Sequence, residues 1–217
     1  MLYEISEIMR DVRIVLDQNT SSEALLTEGD VDTLTLDEII ESRICEGIQR
    51  IETIASPQFL DEGYVFADDQ MSIYWGKNES GFIVLPEDFM RLIAFKMSDW
   101  EQTVYSAIPP TDPIYLKQSS RYKGIRGNTQ KPVCAIVSRP EGKSLEFYSC
   151  KSQEAYPSIA LYRPYPKIDN RGKYKYIDIS EKCYIAVVYA IASLVLAIYG
   201  ATDKSSSLAE LSKTMVQ

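Results

Sequence analysis

The stretch 181-EKCYIAVVYAIASLVLAIYGATDK-204 is the most apolar part of this chain, and where it goes decides the fold. From Cys183 to Ala201 it carries no charged side chain. Crossing a bilayer takes about 20 apolar residues. The run falls just short, acids precede it, and no Lys/Arg cluster sets an orientation at either end. A helix apolar on all sides is otherwise enclosed by protein. Three destinations are open to it: a bilayer, the centre of a core, or a core that also faces another copy of the chain. The small residues Ala186, Ala190, Ala192, Ser193 and Ala197 would let neighbouring helices approach closely. Asp178 with Glu181 fits a capping box at its start, and Gly200 and Asp203 mark its end.

Working outward, its helical partners lie at the two ends of the chain. Leu2, Ile5, Ile8, Met9, Val12, Val15 and Leu16 recur at amphipathic helical spacing over 2–17. The polar stretch 20–33 connects this to a second helix over 35–55, with Leu36, Ile39, Ile40, Ile44, Ile48, Ile51 and Ile54 on one face and Pro57 closing it. Beyond the apolar run, Ser205–Ser207 reads as a hinge. A short terminal helix then carries Leu208, Leu211 and Met215 on one side.

Between residues 61 and 177 the texture changes to short β-branched and aromatic runs punctuated by Gly, Pro and Asn. MSIYWG and GFIVLP flank KNES as a hairpin. PVCAIVSRPEGKSLEFYSC reads as two strands turning at Pro140-Glu141-Gly142. SIALYRPYP is a further strand, and 163–176 is a basic hairpin with Asn170-Arg171-Gly172 at its tip. The expected fold class is therefore α+β. A helical part from 1–60 and 178–217 packs together, and a small β-sheet or sandwich is inserted between them.

Composition excludes several chemistries. The chain has 217 residues, 45% of them hydrophobic and 25% charged, enough for a core without disulfides or metals. It has no histidine, which removes Ser-His-Asp and Cys-His nucleophiles and imidazole metal sites. Cys45, Cys134, Cys150 and Cys183 are too far apart for any CxxC motif and read as reduced, buried thiols. The N-terminal MLYEISEIMRDV carries acids early and has no apolar signal-like core. Charge is uneven: residues 1–62 carry −11, 63–177 carry +4 and 178–217 carry −1. An acidic end and a basic middle suit association between copies. Fifteen tyrosines suit an interface as well as a sheet.

Chemical candidates are few. GIRGNTQK lacks the spacing of a phosphate loop. DVDTLTLDE, 30–38, lacks the glycine of a calcium loop and reads as a linker with a helix start. Asp68/Asp69 and Glu87/Asp88 are adjacent carboxylates that read as a turn and the start of a helix. No catalytic, cofactor or metal residue emerges, and the chain is not expected to be an enzyme. The basic loop 115–132 stands out: Lys117, Arg121, Lys123, Arg126 and Lys131 with Tyr115 and Tyr122, and no acid. It is expected to face DNA phosphates or a partner.

GFIVLPEDFMRLIAFKMSDWEQTV, 81–104, contains an LPxDFxRL phrase followed by an amphipathic strand and a Trp. With the paired N-terminal helices, the β insertion, the YRPYP strand and the late Ala-rich helix, it resembles the head–tail connector (adaptor) proteins of tailed bacteriophages, most closely the ring proteins of crAss-like phages. The resemblance implies a virion protein of the head–tail junction, assembled in the host cytoplasm. It forms a ring, commonly of twelve copies, beneath the portal protein and docks the next tail component. It also implies a C-terminal segment, here 205–217 with Leu208, Leu211 and Met215, that reaches the portal. Channel DNA is a further possible contact. The apolar helix, with Ala186, Ala190, Leu194 and Ala197, would then serve both the core and the ring interface, with no membrane involved. The alternative is a non-catalytic β-rich binding module on a helical oligomerisation base. A third reading, a glycan hydrolase, needs two carboxylates about 5–10 Å apart in a cleft.

Overall fold

The computed structural model describes residues 1–16, 34–68, 72–122, 124–148 and 150–217. The fold is α+β, with N- and C-terminal helices flanking a central region of antiparallel sheets. It divides into a helical unit, Met1–Asp61 with Pro166–Gln217, and a β unit, Glu62–Tyr165.

In the helical unit, β1 (Leu2–Glu4) leads into α1 (Ile5–Val15) and α2 (Leu36–Ile54) follows. The expected helix over 2–17 thus begins later, because Leu2–Glu4 pairs antiparallel with β10 (Tyr174–Asp178), Tyr3 opposite Ile177. Residue 17, the connection 20–33 and the acids of 30–33 lie outside the described residues. Thr35 caps α2: its hydroxyl accepts from the Glu38 N–H, and the Glu38 carboxylate accepts from the Thr35 N–H at 2.7 Å. The Thr35 N–H, and the Thr35 hydroxyl that also donates to this carboxylate, hold the Glu38 carboxyl below its usual pKa.

The apolar run forms α4 (Tyr184–Ile198), and α5 (Thr202–Thr214) completes the unit. By length and composition Glu181–Ile198 could cross a bilayer; in this fold α4 packs against α1, α2 and α5. Val187, Ile191, Ala192 and Val195 are fully buried with Ile8, Val12, Ile40, Ile44 and Ile48. Two features fix its position. Tyr184 stacks on Tyr3 with ring centres 4.4 Å apart and donates its hydroxyl to Asp11 at 2.7 Å. Glu52 of α2, 1% exposed, accepts the Ser180 N–H at 2.8 Å. Asp178 does not cap α4 as expected, since it belongs to β10 and accepts from the Met1 amine at 2.7 Å. Gly200, at φ +75°, ends the helix in the left-handed region.

The chain reaches the hairpin β9 (Asp169–Arg171) and β10 by way of Pro166, and β1, β10 and β9 form a three-stranded sheet. Residues 166–177 therefore belong with the helices rather than with the β insertion. Local texture hid this, because β10 finds its partner at the opposite end of the chain. The hairpin turns at Gly172-Lys173, one position later than expected, with Gly172 at φ +65°.

The β unit holds two antiparallel sheets around one core. One sheet orders β2 (Tyr64–Val65), β8 (Pro157–Pro164) and β5 (Phe89–Met97). The other orders β3 (Tyr74–Trp75), β4 (Gly81–Val84), β7 (Gly142–Phe147) and β6 (Cys134–Arg139). Phe89, Leu92, Phe95 and Met97 of β5 share a core with Ile83, Leu145, Phe147 and Cys134. Trp100 stands edge-on to Phe95 at 5.7 Å. Glu87 and Asp88 form the turn between β4 and β5 instead of opening a helix. The Asp88 carboxylate accepts from the Tyr162 hydroxyl at 3.0 Å and its carbonyl from the Tyr165 N–H at 2.7 Å, binding the turn to β8.

Candidate interaction surfaces

The basic loop opens in a short helix, α3 (Pro113–Lys117), whose N-terminus is capped by Asp112. Beyond it the backbone is tied down by side chains. Buried Gln118 donates to the Ile114 carbonyl at 2.9 Å and accepts the Gly127 N–H at 2.7 Å. Asn128 Oδ1 accepts the N–H groups of Gln130 and Lys131. Lys117, Arg121 and Lys131 are exposed, with Arg121 lying over the Tyr122 ring at 4.9 Å. Lys123 lies outside the described residues.

Arg126 departs from the expectation. It is only 4% exposed, donates through Nη1 to the Asn78 carbonyl at 3.2 Å, and sets Nη2 3.9 Å from the Glu79 carboxylate. It faces inward and holds the tip of the β3–β4 hairpin. That tip needs holding: Asn78 (φ 62°) and Glu79 (φ 51°) are both left-handed, which for Glu costs about 1 kcal/mol.

The C-terminal segment is also placed differently from the expected tail. Ser205–Ser207 lie inside α5 and form no hinge. Ser205 donates to the Ser193 carbonyl of α4 at 2.9 Å. Val216 is fully buried, and its carbonyl accepts the Ser56 N–H at 2.8 Å. Leu208 packs on the core, whereas Leu211 and Met215 are exposed, at 42% and 38%. On α4, Ala186 and Ala190 are buried, Leu194 is half-buried and Ala197 is exposed. Ile185 in the first turn of α4 is 61% exposed, and Ile198 at its end is 49% exposed.

The feature that residue-by-residue reading of the sequence missed is a cleft on the outer face of the four-stranded sheet. Its floor is Glu146 of β7, a strand whose alternate residues Leu145 and Phe147 point into the core. Glu146 Oε2 accepts from the hydroxyls of Tyr148 at 2.5 Å and Tyr115 at 3.2 Å, and Oε1 accepts from Arg139. Burial first raises the pKa of both phenols, followed by the hydrogen bond to Glu146 for Tyr148 and by the Glu146 charge for Tyr115. The Arg139 guanidinium lies 4.1 Å from the Phe82 ring centre, and Tyr74 stacks on Phe82 at 4.8 Å. The strained turn and α3 form the walls of a cavity of about 410 Å³, lined by Lys77, Asn78, Tyr115, Ser119, Glu146 and Tyr148. A second hollow of about 240 Å³ shares Glu146 and Tyr148 and extends to Tyr74 and Phe82. The sequence signal was an acid at an outward position of an apolar strand, with a tyrosine two residues on.

Asp68 lines a separate hollow beside β8, and Asp69 lies outside the described residues. Among the described residues, each of these hollows has one carboxylate in its lining: Glu146 in the two that share it and Asp68 in the third. Compared with family models and with curated proteins, the chain matches none of them.

Proposed function

We propose that this protein is a structural, non-catalytic adaptor of a tailed-phage virion. Copies form a ring beneath the portal, extend the DNA channel and dock the next tail component. The observation that carries the assembly reading is a set of large apolar side chains exposed on the otherwise acidic helical unit. Ile14 of α1, Ile54 of α2, Ile185 and Ile198 of α4, and Leu211 and Met215 of α5 are all exposed. Large apolar side chains on all four helices suit a surface that neighbours cover. The phage assignment rests on the LPEDFMRL phrase and the order of helices around a β insertion. Lys117, Arg121 and Lys131 are the candidates for contact with channel DNA; Arg126 is not among them. Leu211 and Met215 are the candidates for portal contact, presented from a docked α5.

The test is the particle mass of the purified protein, alone and mixed with its candidate portal. A ring, or binding that requires the portal, is expected, and Leu211→Ser with Met215→Ser should weaken it while leaving the fold intact. A monomer or dimer that ignores the portal would sink this reading. It would favour the β-rich binding module on a helical base, which the cleft around Glu146 supports.

A further inference from the structure

We propose that the cleft above Glu146 binds a neutral saccharide. A cavity of about 410 Å³ is within the range of small-ligand sites, and its lining selects the ligand by hydrogen-bond polarity. The Tyr115 and Tyr148 hydroxyls direct their protons to Glu146, and Ser119 donates to the Leu116 carbonyl. A hydroxyl that has donated its proton still has acceptor lone pairs. Glu146 Oε1, with Arg139 as its bonded donor, adds another acceptor position. These positions ask the ligand for donors, while Lys77, which can only donate, asks it for an acceptor, so the ligand should do both, as hydroxyls do.

Charge narrows the class. Arg139 balances Glu146, and Lys77 adds a positive charge to the lining. A cationic amine thus meets net repulsion, so the donors should be uncharged hydroxyls. The adjoining hollow supplies an aromatic platform: Tyr74 is 51% exposed and is backed by Phe82. A sugar ring combines hydroxyl donors at its edge with an apolar C–H face, and so matches both halves of the cleft. The left-handed turn at Asn78-Glu79, held by buried Arg126, fixes one wall in advance. Strained backbone of this kind concentrates where a ligand is clamped.

The test uses the full chain and saturation-transfer NMR against the methyl glycosides of glucose, galactose, mannose and N-acetylglucosamine, with n-butylammonium as the cationic control. Transfer to at least one glycoside is expected, with none to n-butylammonium. Tyr148→Phe and Tyr115→Phe keep the rings and remove the acceptors. Each should weaken binding about fivefold, the worth of one hydrogen bond, while tryptophan fluorescence shows the β unit still folded. No transfer to any glycoside from folded protein overturns the proposal. So does binding of n-butylammonium alone, or sugar binding unchanged in the double Tyr→Phe variant.

Discussion

Arg126 shows how much one side chain's surroundings alter its meaning. In sequence it is one of five bases in an acid-free loop, and composition alone assigns all five to solvent. In the fold its guanidinium closes the β3–β4 turn from within. What decides this is the left-handed pair Asn78-Glu79, which lies far away in sequence and leaves a carbonyl and a carboxylate for a cation to bind. Arg126→Gln should therefore destabilise the β unit by about 2 kcal/mol, the usual value of a buried, charge-assisted hydrogen bond. Arg121→Gln, at an exposed site, should stay within about 0.5 kcal/mol of the parent. Urea unfolding followed by tryptophan fluorescence checks this directly, since Trp75 and Trp100 both lie in the β unit. Equal effects for the two variants would return Arg126 to the surface.

At the scale of elements, the sequence was most legible where periodicity was long. The uninterrupted apolar run of α4 and the i, i+3, i+4 isoleucines of α2 read as helices, although the run alone left bilayer, core and subunit interface open, and the hairpins announce their turns to within a residue. Short elements with distant partners were hidden. Leu2–Glu4 shares the apolar spacing of α1, and only β10 makes it a strand. Acids after Pro86 favour a helix start locally, yet Asp88 is held in a turn by Tyr162 and Tyr165. Ser205–Ser207 looked like a hinge, but small polar side chains also suit close packing of α5 on α4. The α2–α4 contact depends on the same economy of size. A Cβ placed on Gly47 would lie 2.5 Å from Ile191 Cγ1, inside the core. Alanine gains about 1 kcal/mol in helix propensity, but overpacking costs about 1–3 kcal/mol. Gly47→Ala should lower the helical unit's stability, measured by thermal unfolding of helical circular dichroism. Adding Ile191→Ala should make the double variant less unstable than the two single losses predict. A simple sum would mean that the helices do not meet at Gly47.

For the whole molecule, the division into two units changes the meaning of the charge. Glu62–Tyr165 holds twelve acidic and twelve basic residues, so the full −8 falls on the helical unit. The basic middle seen in sequence was largely the hairpin of 166–177, which carries Lys167, Arg171, Lys173 and Lys175. That hairpin sits in the acidic unit, where Lys175 pairs with Glu41 of α2. Part of the charge asymmetry is thus satisfied within one chain. The units also differ in how the chain builds them. The β unit is one continuous segment with its own aromatic core, whereas the helical unit needs both chain ends, because α4 supplies the centre against which α1 and α2 pack. Residues 62–165 expressed alone should therefore fold, with a cooperative urea transition in tryptophan fluorescence and dispersed aromatic NMR signals. Residues 1–61 alone should not, since Ile40, Ile44 and Ile48 would lose the α4 surface that buries them. A 62–165 fragment without a cooperative transition would show that its core depends on the helical unit, and that the insertion is not a domain in its own right.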